Sequence, residues 1–326
     1  MLQKVKSASV FQDKGSLWEK FLLNGSLYFA LFVIIIVFGF LNSSYLTLNN
    51  IINVFEQSAY LLVCSIGMTF TLLIGAFDLS IGGNLAFLSV VGGALMVKTG
   101  NVPLSIAVMF ACALVVGLLN GIGVVKIGLP PFIMTISMGY IVRGIVDYYT
   151  ESKTISGLPS QLMKMVWYKI LGVPVLIWFG LLILALGIYL LNFTGYGRTV
   201  YACGGNTDAS KVMGVSTDKV RISVFVISSL CTCIGAIMVM ARSGIARSGT
   251  ADNLQMQCVA AAVIGGTSLT GGVGTLWGTL VGVMMMSLIT SGLNAIGVDA
   301  FWQTIFTGCI IILSALLDSY KTRNNA

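Results

Sequence analysis

The sequence predicts an all-α protein that crosses a lipid bilayer many times, and three observations predict it. Hydrophobic residues make up 57% of the 326-residue chain. Charged residues make up only 9%, against about 25% in an ordinary soluble domain. The mean hydropathy is +0.96. So few charges cannot furnish a water-facing surface, and lipid has to serve as solvent for most of the outside. Inside lipid every backbone N–H and C=O must pair within the protein, which long apolar runs achieve as helices. A disordered chain, a disulfide scaffold and a cytosolic enzyme are excluded at this step.

A span needs about 20 apolar residues, or somewhat fewer where it is irregular and buried in protein, which divides the chain into roughly ten segments. The first, near 26–42, contains VIIIVFGF and follows Lys4, Lys6, Lys14 and Lys20. It is longer than a signal-peptide core and has no small-residue cleavage site behind it. It therefore reads as a membrane helix, with 1–25 as a cytoplasmic N-terminal segment. Further apolar runs follow near 51–75, 79–97, 103–125 and 131–148. An outer loop at 149–172, with Glu151, Lys153, Pro159 and Trp167, has room for a short interfacial helix. After a run at 173–192 comes an inner loop at 193–220, then runs near 221–242, 257–269, 272–296 and 300–318. Residues 26–318 thus read as one membrane domain, with 319–326 as a cytoplasmic tail.

Charge sets the orientation. The chain carries 18 Lys plus Arg against 11 Asp plus Glu, a net charge of +7, and basic loops favour the cytoplasmic side. Alternation from a cytoplasmic N-terminus puts Lys126, Arg198, Lys211, Lys219, Arg221, Lys321 and Arg323 inside with the N-terminal lysines. The smaller set outside is Lys98, Lys153, Lys164, Lys169, Arg242 and Arg247. Both termini are expected in the cytoplasm.

Little in the chain speaks for chemistry of its own. Histidine is absent, which removes the usual general base, proton relay and metal ligand. The seven cysteines form no CxxC pair and read as small buried hydrophobes. No GxxxxGK[ST] loop is present, and GGVGTLWG opens a membrane segment rather than following a strand. No catalytic residue and no metal site are assigned, and any pumping has to draw on a gradient or on a separate ATPase.

Glycine and an internal repeat mark the candidate working parts. Gly274, Gly278 and Gly282 fall four apart, as do Gly117 and Gly121, a spacing that lets neighbouring helices approach closely. Residues 74–96 align without gaps on 264–286, matching Ile74 with Ile264, Gly75 with Gly265, Gly82 with Gly272 and Gly92 with Gly282. Each copy reads as an apolar run, a Gly-rich break and a second apolar run, the pattern of broken helices at transporter sites. Parallel and inverted arrangements both fit the segment count. Among charges within the spans, Glu56, Arg143 and Asp147 lie near segment ends, and Arg143 can pair with Asp147 one turn on. Asp78 stands in the first break, before Ser80, and is either a helix cap or part of a solute path with Phe77. Thr267 and Ser268 occupy the matching places of the second copy.

The inner loop points to a partner. Gly204, Gly205 and Asn206 break the chain, Asn206 or Thr207 can cap a helix, and Gly214 can end it. Ala209, Val212 and Met213 then form an apolar stripe, suited either to the membrane surface or to a groove in a cytoplasmic protein.

Four stretches, AFDLSIGG (76–83), PPFIMTISMGYIVRG (130–144), YACGGNTDASKVMGV (201–215) and AAAVIGGTSLTGGVGTLWGTLVG (260–282), give the chain a recognisable likeness. It resembles the permease subunits of bacterial ABC importers for ribose, galactose, xylose and arabinose, from about residue 50 to 318. The resemblance implies a multi-pass protein of the bacterial cytoplasmic membrane that passes a neutral monosaccharide or related polyol. It also implies a second permease subunit, identical or related, an extracytoplasmic sugar-binding protein, and a cytoplasmic ATPase that carries the ATP and Mg. The loop holding Gly205, Asn206, Ala209 and Gly214 would be the helix that contacts that ATPase. Two departures stand out. The family's usual Gly-Asn-Glu-Ala-Ala is Gly205-Asn206-Thr207-Asp208-Ala209 here, and its Gly-Ile-Asp-Leu-Ser is Ala76-Phe77-Asp78-Leu79-Ser80. The competing expectation is an ion-coupled secondary carrier that uses Asp78.

Overall fold

Pairing every backbone group within hydrocarbon requires helices, and each apolar run of the sequence forms one. The structure, a computed structural model, describes residues 17–324. The first half comprises α1 (Leu17–Leu41), α2 (Leu48–Leu73), α3 (Ile81–Thr99), α4 (Val102–Val125) and α5 (Pro131–Thr150). A short helix α6 (Ser160–Trp167) and a hairpin of β1 (Lys169–Ile170) and β2 (Val173–Pro174) lead to α7 (Val175–Phe193). Then come α8 (Gly195–Gly205), α9 (Thr207–Val212), α10 (Thr217–Ser243), α11 (Leu254–Ile264), α12 (Leu276–Ala295) and α13 (Ala300–Asn324).

The expected segments and the observed helices coincide, with three differences. Residues 17–25, expected as part of a cytoplasmic segment, already belong to α1, while 1–16 lie outside the described residues. Likewise α13 continues through most of the expected tail to Asn324. Among the described residues, six helices are long and apolar enough to cross a membrane: α2, α3, α4, α7, α10 and α12. The eleven residues of α11 reach only about half of a bilayer core at 1.5 Å per residue. Six of the roughly ten expected segments thus meet the length and composition of a full crossing among the described residues.

The centre of the molecule is α2 packed on α10, with α4 and α3 on one flank and α7, α11 and α12 on the other. Phe70 of α2 and Phe225 of α10 are fully buried there. Gly117 and Gly121 make the α4–α10 approach possible, because Cβ atoms on them would lie 2.8 Å from Val226 Cα and 2.9 Å from Ile222 Cα. The second glycine row needs a correction. Gly278 and Gly282 lie on α12 and face the Gly265 and Ala261 carbonyls, but Gly274 precedes the helix and packs on Thr267. The four-residue spacing is met, yet the helix begins only at Leu276.

Ion pairs mark two opposite ends. At one end Lys126 pairs with Asp218 at 2.8 Å, close to α8 and α9. At the other, Arg242 meets Glu56 at 3.9 Å, while Arg143 holds Asp252 and, at 3.8 Å, Asp147. The charges expected near segment ends are thus paired there, including the pair one turn apart on α5.

Candidate functional site

The short helix α9 is built by the residues that the sequence singles out. Asn206 is extended, and its Oδ1 accepts the Ala209 amide at 2.9 Å. Its carbonyl accepts the Ser210 amide at 3.0 Å and the Ser210 hydroxyl at 2.8 Å. Gly214, at φ 82°, ends the turn with a bond from its amide to the Lys211 carbonyl. Ser210 is buried on the inner side, whereas Val212 is 90% and Met213 71% exposed. Ala209 is exposed beside them. The result is an anchored helix that offers apolar side chains outward, beyond the ordinary need of a surface turn. Asn206→Ala removes an N-cap worth about 0.5–2 kcal/mol. We expect faster amide exchange at Ala209 in that variant; unchanged exchange would show that the cap does not hold α9.

The two helix breaks share one geometry. At the end of α2, the Gly75 amide donates to Leu72 and the Ala76 amide to Thr71, with Gly75 at φ 68°. At the end of α11, the Gly266 amide donates to Val263 and the Thr267 amide to Ala262, with Gly266 at φ 87°. Both are Schellman closures, which place glycine where a left-handed residue is required. The repeat is therefore real at the helix ends but one residue out of the ungapped register. Gly75 corresponds to Gly266, Ala76 to Thr267, Phe77 to Ser268 and Asp78 to Leu269. The breaks also differ in length, 74–80 against 265–275.

The sequence did not reveal what these breaks touch. The Gly272 amide donates to the Leu73 carbonyl at 2.9 Å. A Cβ on Gly204 would lie 1.7 Å from that same carbonyl oxygen and 2.6 Å from the Gly272 nitrogen. A Cβ on Gly271 would lie 2.7 Å from the Gly75 nitrogen, and the Tyr201 hydroxyl donates to the Gly274 carbonyl at 2.9 Å. Backbone thus meets backbone among the end of α2, the end of α8 and the second break. The helix α8 is likewise not legible in the sequence, since its glycines mask it and Thr194, which caps it at Gly197, falls just before them.

Asp78 is buried, and both of its oxygens are occupied. Oδ1 accepts the Ser80 amide at 3.1 Å and the Ser80 hydroxyl, and Oδ2 accepts the Ser228 hydroxyl at 2.6 Å. Asn120 donates to Ser80 Oγ at 2.9 Å, and the Leu79 amide donates to Thr135 Oγ1 at 3.0 Å. This cluster ties the start of α3 to α4, α5 and α10. Phe77 is half-buried, and Ser80, Thr267 and Ser268 are buried. None of Phe77, Asp78, Ser80, Thr267 or Ser268 lines either of two cavities of about 370 and 410 Å³. Among the described residues no group of acidic, Cys and His side chains is placed to hold a metal ion.

The chain is a multi-pass helical bundle whose paired helix breaks meet α8, the stem of a short helix that presents apolar side chains, an architecture that suits a membrane permease. The chain belongs to the family described as "Branched-chain amino acid transport system / permease component", whose model matches residues 50–315. It is 31% identical over 296 residues to the ribose import permease protein of Escherichia coli K12, covering 90% of this chain and 92% of that one. The ribose import permease protein of Bacillus subtilis 168 is 32% identical over 297 residues, with coverages of 90% and 92%. The galactose/methyl galactoside import permease protein of E. coli K12 is 30% identical over 320 residues, with coverages of 92% and 95%. No solved structure matches the chain. The resemblance read from the four sequence stretches is borne out.

Proposed function

We propose that this chain is the membrane-spanning subunit of an ATP-driven importer for a neutral monosaccharide or related polyol in a bacterial cytoplasmic membrane. The observation that carries this reading is the exposed Val212–Met213 stripe on the capped helix α9. An apolar patch at a membrane protein's polar end is best satisfied by a protein groove, and the partner is the cytoplasmic ATPase that binds ATP and Mg. The end bearing α9 then faces the cytoplasm together with both termini. Arg143, Asp252, Arg242 and Glu56 face the outside, where a sugar-binding protein delivers the solute. A second permease subunit, identical or related, completes the path.

The names of the relatives support a sugar over the branched-chain amino acid of the family's description. So does the chemistry: among the described residues Asp78 is the only buried charged side chain, and its oxygens are already engaged by hydroxyls. Vesicles holding the reconstituted complex are expected to accumulate a monosaccharide only with ATP and the binding protein. Accumulation driven by an ion gradient without ATP would refute the reading.

That outcome belongs to the ion-coupled carrier. Asp78 separates the two, since a coupling carboxylate has to load and release an ion through water. We expect Asp78→Asn, which keeps the shape of the side chain, to retain ATP-driven uptake. Gradient-driven uptake that is indifferent to ATP in the unaltered protein and is lost in Asp78→Asn would favour the carrier.

A further inference from the structure

We propose that a groove between α11, α12 and α13 is the vestibule where a neutral polyhydroxylated solute first meets this chain; this rests on the import reading above. The groove encloses about 410 Å³, within the ~300–1,000 Å³ of small-molecule sites. Its polar lining is Asn253, Gln257, Thr290, Gln303, Thr304 and Thr307, with Met256 and Ile311 as apolar floor. Amides and hydroxyls both donate and accept, as the hydroxyls of a monosaccharide do. Gln303 Nε2 already donates to Asn294 Oδ1 at 2.6 Å and Thr307 Oγ1 to the Gln303 carbonyl at 2.9 Å. A sugar would therefore meet the lone pairs these two side chains keep, while the apolar lining suits the C–H face of its ring.

Position and charge select the occupant. On α13, Gln303, Thr307 and Ile311 follow at four-residue steps into the groove, so they share one helix face. Phe301, Trp302, Ile305, Phe306, Ile312 and Leu316 are exposed elsewhere on the helix. Polar residues gathered to one side of a membrane helix mark a face turned away from lipid, toward protein or water. Among the described residues no Lys or Arg lines the groove, and the one carboxylate there, Asp252, is held by Arg143. An amino acid would bring a carboxylate with no cation to receive it, whereas a neutral sugar leaves no charge unpaired. Asp252 also fixes the groove to the end opposite α9, the side from which the solute arrives.

The test uses the complex with its ATPase and binding protein in proteoliposomes. Cys309 is exposed beside the groove, so a Cys309→Ser background is needed. In it, Thr307→Cys is expected to react with a membrane-impermeant thiol reagent added from the side opposite the ATPase. Sugar-loaded binding protein, but not leucine, is expected to suppress that labelling, and labelled complex is expected to lose monosaccharide uptake while still hydrolysing ATP. A thiol that stays unlabelled means that lipid or a second copy fills the groove, and overturns the proposal. Labelling without loss of uptake overturns it as well. Because a cysteine can perturb the site, Gln257→Leu serves as an independent variant, expected to lower uptake without lowering ATPase recovery. Uptake of a branched-chain amino acid and of no monosaccharide by the unlabelled complex would overturn the substrate reading, separately from the labelling result.

Discussion

Replacing Val212 and Met213 together by aspartate is expected to abolish ATP-driven uptake while the protein still inserts and folds. Both side chains are exposed, at 90% and 71%, so the folded bundle loses no internal packing when they change. A partner that buries them gains about 1.5–3 kcal/mol for each side chain. Two aspartates forfeit that gain and add carboxylates that must be desolvated without a counter-charge. A loss of roughly 3–6 kcal/mol on this scale lowers affinity by at least a hundredfold. Purification in mild detergent reads the result directly: the ATPase is expected to accompany the unaltered chain and to be lost from the double variant. Recovery of the ATPase at normal yield, with normal uptake, would remove α9 from the coupling role and with it the main support for the proposed function.

Much of this architecture is legible in the sequence because hydrocarbon enforces it. Apolar length sets the helices, and Asn206 and Gly214 delimit α9 through local bonds that neighbouring residues suffice to define. The misreadings come from contacts distant in sequence. Gly274 shares the spacing of Gly278 and Gly282 but lies in a break whose path depends on Thr267 and Tyr201. The repeat slips by one residue because backbone closure, and not residue identity, defines equivalence at Gly75 and Gly266. Asp78 stands out in sequence as a charge among apolar residues, yet its role as the knot between α3, α4 and α10 depends on Ser228 and Asn120. The groove on α13 has a faint signal in Gln303, Thr304 and Thr307, three polar residues near the start of an apolar run, which becomes meaningful once Asn253, Gln257 and Thr290 are placed opposite.

The adjacent glycines Gly204 and Gly205 look equivalent in sequence and are expected to behave very differently. A Cβ at Gly204 would stand 1.7 Å from the Leu73 carbonyl oxygen, and that carbonyl is held by the Gly272 amide at 2.9 Å. Neither group is the movable end of a side chain, so Gly204→Ala has to displace α8, α2 or the second break. Overpacking of this kind costs about 1–3 kcal/mol, and more where backbone must move. A Cβ at Gly205 meets nothing within 4 Å, and Gly205→Ala is expected to be neutral or to stabilise by up to ~1 kcal/mol. The functional consequence follows from what Gly204 joins. It brings the stem of α9 against the end of α2 and the break after α11 at once, so on the coupling proposal motion imposed on α9 would reach both broken helices here. Gly204→Ala is therefore expected to lower the melting temperature, at an overpacking cost of about 1–3 kcal/mol, and to reduce uptake. The ATPase is expected still to bind that variant, because Val212 and Met213 are untouched. Equal uptake and equal melting in the Gly204→Ala and Gly205→Ala proteins would show that this backbone contact carries neither stability nor coupling.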